Sequence, residues 1–243
     1  MSVLRIRAML VAVAVVVAAA PTAAVASEGT GTAARSGSPL GTYDAAGNPV
    51  LRDGSPIEGV TFVRAEDAER VRKSQQAASA ARLKTVGNLQ CLDGWTTIAG
   101  GGVNVNWRVN PDTGYVSANG NPAVDRWNQL FLPCWVPYRD WPVHEWVFLA
   151  NANGRVVSFV RDHENPINTR LSPTSPVADL EAGARFNHCS YDGNWYYLRI
   201  EGSPVLHVKQ EFGALYAMGG PLNGDKLLRV TPGINANTRC YRQ

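Results

Sequence analysis

Beyond residue 26 the chain has no apolar run long enough to cross a bilayer, so no stable membrane anchor is expected. A strong charge of either sign is missing too. Setting aside Arg5 and Arg7 near the N-terminus takes the 23 basic residues to 21, against 20 acidic ones, a net +1. That balance argues against nucleic acid or an anionic membrane as partner. Lysine is scarce, with Lys73, Lys84, Lys209 and Lys226 standing among 23 basic residues, a bias that reflects genome composition more than chemistry. Catalytic signatures are also absent. His144-Glu145 and His163-Glu164 do not extend to HExxH, because Phe148 and Ile167 stand four positions after each histidine. No G-x-S-x-G elbow and no Walker loop occurs, and the four histidines are scattered. Asp162 and Glu164 sit beside Arg161 and Asn165 in what reads as a hairpin turn rather than an acid–base dyad. The four cysteines form no CxxC and have no histidine at zinc spacing. The chain is therefore expected to be non-catalytic, with no catalytic residue, no cofactor and no metal.

What is present begins with a leader. Arg5 and Arg7 precede the apolar MLVAVAVVVAAA, and Ala24-Val25-Ala26 offers a small-x-small cleavage pattern, so residues 1–26 read as a secretory signal peptide. The protein is then expected outside the cell, where an even number of cysteines favours two disulfides. Residues 27–85 read as a flexible N-terminal arm. The stretch SEGTGTAARSGSPLGT has no apolar period and is expected to be disordered. Short segments that can pair as strands follow, and then a helix is predicted near 65–84. Its acids come early, its bases late, and Gly87 stands just beyond. Its apolar face is thin, mostly alanine with Val71 and Leu83, which fits a spacer or a lightly docked helix.

From residue 86 helical patterning stops. Short segments rich in Val, Leu, Phe, Tyr and Trp alternate with Gly, Pro, Asn and Asp, the mark of an all-β domain over 86–243. Self-similarity organises it. GYVSANGNPAVDRWNQLFLPC (114–134) matches TRLSPTSPVADLEAGARFNHC (169–189), and both end Phe-x-x-Cys. ALYAMGGPLNGDKLLRV (214–230) repeats the pattern with Leu228 in the phenylalanine position. EWVFLANANGRVVSFV (145–160) likewise matches NWYYLRIEGSPVLHV (194–208). Three units of four strands result, beginning near residues 89, 146 and 195.

With YVSANG, ANGRVVSFV, QLFL and KLLRV as its carriers, the C-terminal region resembles the fascin-like β-trefoil family. The ricin-type Gln-x-Trp signature is missing from all three units, and a β-sandwich is the structural alternative. The resemblance implies a β-trefoil of three four-stranded units behind a partly disordered arm. It also implies that each unit's first and last strands share one end of the barrel. On that footing Cys91–Cys134 with Cys189–Cys240 is the preferred pairing, and Cys91–Cys240 with Cys134–Cys189 the alternative.

The resemblance further implies recognition of sugar or protein. Sugar stacking needs exposed aromatic faces beside polar groups. CWVPYRDWPVHEW offers them, with Trp135, Tyr138, Arg139 and Trp141 as candidate ligand-binding residues and Trp146 assigned to the core. An equally weighted reading lets these rings fill the gap between the first two units. The expected partner is a glycan or cell-surface ligand. The alternative is an adaptor for other secreted protein subunits, of the kind found in multi-protein toxin assemblies. Tyr43, Val50, Leu51, Val60, Phe62 and Val63 would then anchor the arm, threading into a partner's groove or adding a strand to its sheet.

Overall fold

A computed structural model describes residues 40–79, 89–100, 105–121, 123–135, 145–160, 168–171, 186–190, 195–200, 206–211, 213–220, 222 and 224–232. Nearly all of its regular structure is strand. In the N-terminal part, β1 (Thr42–Tyr43) and β2 (Pro49–Val50) form a small hairpin, followed by β3 (Val60–Val63) and the single described α-helix, α1 (Ala68–Ser79). Then come β4 (Leu89–Leu92), β5 (Thr97–Gly100), β6 (Asn106–Val109), β7 (Val116–Gly120) and β8 (Phe131–Trp135). Next are β9 (Glu145–Ala150), β10 (Val157–Val160), β11 (Asn168–Leu171) and β12 (Phe186–Ser190). The last four are β13 (Trp195–Ile200), β14 (His207–Glu211), β15 (Ala214–Met218) and β16 (Leu227–Thr231).

The pairings close a ring. β4 pairs antiparallel with β8 through Gln90↔Trp135 and Cys91↔Cys134, and Thr96 continues the contact by bridging Phe131. β8 pairs with β9, β9 with β12, β12 with β13, and β13 with β16. β16 returns to β5, from Thr231↔Thr97 to Leu228↔Gly100. β4 and β5 thus serve as two halves of one bent strand. Three hairpins stand outside the ring, β6–β7, β10–β11 and β14–β15, and β7, β11 and β15 touch one another. Each hairpin follows a ring strand and precedes the next, so all three lie toward one end of the barrel.

The side-chain period of two explains why the ring strands are so apolar. On β8 and β9, Phe131, Trp135, Trp146, Phe148 and Ala150 point into the barrel core, which also holds Trp107, Phe186, Tyr196 and Leu228. The alternate residues Leu132, Cys134, Val147 and Leu149 point outward, yet they are as deeply buried, in a second cluster with Leu89, Cys91, Trp95 and Ile57. A two-sided strand needs a cover on each face, and the N-terminal segment supplies the outer one.

That finding corrects the expectation of a flexible arm. β3 adds in parallel to β4, with Val60↔Leu89, Thr61↔Gln90, Phe62↔Cys91 and Val63↔Leu92. Tyr43, Leu51, Val60 and Phe62 pack on the outer cluster, Val50 is buried, and Val63 packs against the barrel core. All six anchors assigned to a partner are spent on this chain's own sheet. A boundary at residue 86 accordingly cuts between two hydrogen-bonded strands. Gly41 shows how close the approach is: its φ is +87° and a Cβ there would collide with the Trp95 ring. The helix expected near 65–84 occupies Ala68–Ser79, and residues 80–84 lie outside the described residues, as do the leader and residues 27–39.

Candidate functional site

The aromatic stretch divides. Trp135 ends β8 and Trp146 stands second in β9, both at the barrel end away from the hairpins. They are 3% and 2% exposed, and their rings meet edge to face with centroids 5.7 Å apart. Helix α1 lies over them. The guanidinium of Arg72, itself 8% exposed, sits 4.3 Å from the centroid of Trp146 and 5.3 Å from that of Trp135. Trp135 Nε1–H donates to Gln75 Oε1 at 3.2 Å. Trp135 is therefore withdrawn as a sugar-stacking residue, because both its ring and its polar tip are engaged within the chain. Tyr138, Arg139 and Trp141 lie outside the described residues. The sequence assigned Trp146 to the core, and the structure places it there.

The Cys91–Cys134 disulfide is present, between directly paired residues of β4 and β8, and both cysteines are fully buried. The partner assigned to Cys189, Cys240, lies outside the described residues.

Among the described residues the large apolar side chains left exposed are Leu40, Tyr115, Val124 and Tyr216. Val116, Ala118 and Gly120 turn inward, and Tyr115, Ser117 and Asn119 form the outward row. Tyr115 is 46% exposed, and Ser117 Oγ–H donates to Asn119 Oδ1 at 2.7 Å. On β15, Leu215 and Ala217 turn inward while Tyr216, 39% exposed, faces out. Tyr216 pairs in register with Lys209, whose Nζ bonds Glu211 at 2.8 Å. The two rows adjoin, since Ala118 N–H donates to Gly213 O at 2.8 Å.

A buried polar side chain holds the loop behind each of these rows. After β7, Gln129, 1% exposed, donates through Nε2 to Asn121 O and Val124 O, both at 2.6 Å, and accepts from Asn106 Nδ2 at 3.0 Å. Two residues before Leu228, the sequence match of Phe131, stands Lys226, also buried. Its Nζ donates to Gly219 O at 2.7 Å and Gly220 O at 2.9 Å. Burial, with a smaller contribution from Lys209, holds the Lys226 ammonium below the usual lysine pKa. The sequence analysis singled out neither Gln129 nor Lys226. The signal was available, since both stand two residues ahead of the matched Phe131 and Leu228.

Charge on the N-terminal segment is local. Asp44, Asp53 and Asp67 are held below the ordinary carboxylate pKa, first by side-chain hydrogen bonds from Asn48, Ser55 and Arg70 respectively. Among the described residues no group of three or more His, Cys, Asp or Glu is placed to hold a metal ion. No helix among them is long and apolar enough to cross a membrane.

No protein-family model matches the chain, so the fascin-like resemblance stays a resemblance. No curated protein matches it either. Solved structures do. One is a designed three-fold symmetric protein, ThreeFoil, at TM-score 0.43 and 11% identity, covering 56% of this chain and 96% of that one. Another is the BEL β-trefoil, at TM-score 0.44 and 14% identity, covering 61% and 94%. A third is SeviL bound to asialo-GM1 saccharide, at TM-score 0.43 and 10% identity, covering 56% and 95%.

Proposed function

We propose that this chain is a β-trefoil of three four-stranded units that works outside the cell as a non-catalytic binding protein for carbohydrate or a cell surface. The closed six-strand ring with three mutually touching hairpins supports the fold. Each unit then contributes two ring strands and one hairpin, with β4 and β5 counted as one. The observation that carries the function is the outward row of two adjoining hairpins. Tyr115 and Tyr216 are exposed there beside Ser117, Asn119, Lys209 and Glu211. A ring with a free face and hydroxyl, amide and charged neighbours is what a pyranose needs for stacking and hydrogen bonding. The adaptor reading loses its motivation, since the six arm residues that were to grip a partner already grip β4, β8 and β9.

A glycan array probed with the full chain tests this. Bound glycans should lose about fivefold in affinity with Tyr115→Ala or Tyr216→Ala, from roughly 1 kcal/mol of aromatic contact each. An array without hits, or hits indifferent to both substitutions, would overturn the reading.

A further inference from the structure

The first-unit loop departs from its third-unit counterpart. From Gly120 to Gln129 it runs two residues longer than from Gly219 to Lys226, and the extra length falls around Val124, Asp125, Arg126 and Trp127. Its shape is fixed from several sides. Gln129 ties down two of its carbonyls from beneath. Asp125 is in the left-handed region at φ 53°, the only non-glycine with positive φ among the described residues, and Arg108 holds it through a 2.7 Å ion pair. Residues Arg126–Gln129 then form a 3-10 turn.

Two guanidinium groups are posed on that turn. Arg126 lies 4.8 Å over the ring of Trp127. Arg52, from the turn after β2, donates to Oδ1 of Asn128 at 3.4 Å, and Asn128 is itself 5% exposed. Among the described residues neither guanidinium has a carboxylate within ion-pair distance, whereas Arg64, Arg70 and Arg108 all do. Both are exposed, and consecutive side chains of one turn anchor them, so their spare donors are oriented before any ligand arrives.

We infer that the turn Ala123–Asn128, together with Arg52, is an anion-binding subsite that takes the carboxylate or sulfate of a charged saccharide. The inference rests on the carbohydrate reading above and names the ligand class within it. Arg126 and Arg52 bind the charged group, Val124, 57% exposed, offers apolar contact beside them, and Gln129 acts as a positioning residue. The subsite joins the N-terminal segment to the first unit, so it exists only while that segment is docked.

The test is calorimetric titration of the full chain with oligosaccharides of matched length, one carrying a uronic acid, one a sulfate ester and one neutral. One or both charged ligands should bind at least tenfold tighter than the neutral one, and the preference should shrink as salt rises. Arg126→Gln and Arg52→Gln should each cost about tenfold in affinity for the charged ligand and leave the neutral ligand unchanged. Gln129→Leu should weaken charged binding while near-ultraviolet circular dichroism stays native. Equal affinity for charged and neutral ligands, or indifference to both arginine substitutions, overturns this subsite and leaves the carbohydrate reading standing. Failure to bind any saccharide overturns both.

Discussion

Replacing Arg72 with methionine keeps most of the apolar stem and removes the guanidinium from the two tryptophan rings. Other described contacts of α1 with the barrel are small. Ala68 is buried and Val71 partly so, and Gln75 supplies one hydrogen bond, worth about 1 kcal/mol. A desolvated cation over aromatic rings is worth about 2 kcal/mol. Arg72 is 8% exposed and lies within 5.3 Å of both centroids, so that figure applies here. Losing it should shift the docking equilibrium of α1 by about thirtyfold. The barrel beneath does not depend on the guanidinium. Amide hydrogen exchange separates the two cases. Protection across Ala68–Ser79 should fall about thirtyfold in Arg72→Met while β8 and β9 keep theirs. Acrylamide should also quench the tryptophan emission more strongly, as Trp135 and Trp146 become accessible. Equal loss of protection in α1, β8 and β9 would refute the reasoning, because Arg72 would then belong to the barrel's own stability. Unchanged protection in α1 would refute it from the other side.

Two further outcomes are expected. Replacing Cys91 and Cys134 together by alanine opens a link across a sequence separation of 43 residues, and chain entropy alone predicts a loss of about 4 kcal/mol. Urea unfolding of the oxidised and substituted proteins checks this, and equal midpoints would contradict it. Lys226 has its folded pKa lowered, so the cost of burying its charge is fully present below that pKa. It is relieved as pH rises toward the unfolded value of 10.5. Lys226→Gln, which installs the residue that Gln129 supplies two positions before Phe131, should remove this alkaline gain while leaving neutral-pH stability within about 1 kcal/mol. A matching pH profile in the two proteins would show that Lys226 is not the source.

The barrel was legible because its strands repeat, and repetition survives poor local signals. Phe131 and Phe186 with Leu228 behind them, and Trp146 with Trp195, marked the strand starts and ends that the pairings join. The role of the N-terminal segment was misjudged, although its evidence lay in the same strands. Leu132, Cys134, Val147 and Leu149 alternate with core residues, and a barrel strand facing water would carry polar side chains there. A near-continuous apolar run such as FLPCW or EWVFLA therefore announces a second cover, and VTFV is the segment able to provide it. Trp135 was misassigned for a related reason. Proximity in sequence to Tyr138 and Trp141 suggested a shared surface, but β-strand alternation sends Trp135 inward with Phe131. Nothing in the sequence places Arg72 over it, because the two are more than sixty residues apart. The Ala123–Asn128 turn was invisible for a third reason. Its character comes from a left-handed Asp125 and from an arginine of another segment, neither of which leaves a composition signal.

The parallel placement of β3 beside β4 also bears on the order in which the molecule is made. Synthesis runs from the N-terminus, so Val60–Val63 and α1 leave the ribosome well before β8 and β9, whose outer faces and tryptophans they cover. For that interval β4 is present for β3 to pair with, but the outer faces of β8 and β9 that the segment covers are not. The cover that the N-terminal segment gives to β8 and β9 is therefore complete only once the chain has reached residue 150, although the segment itself is made much earlier.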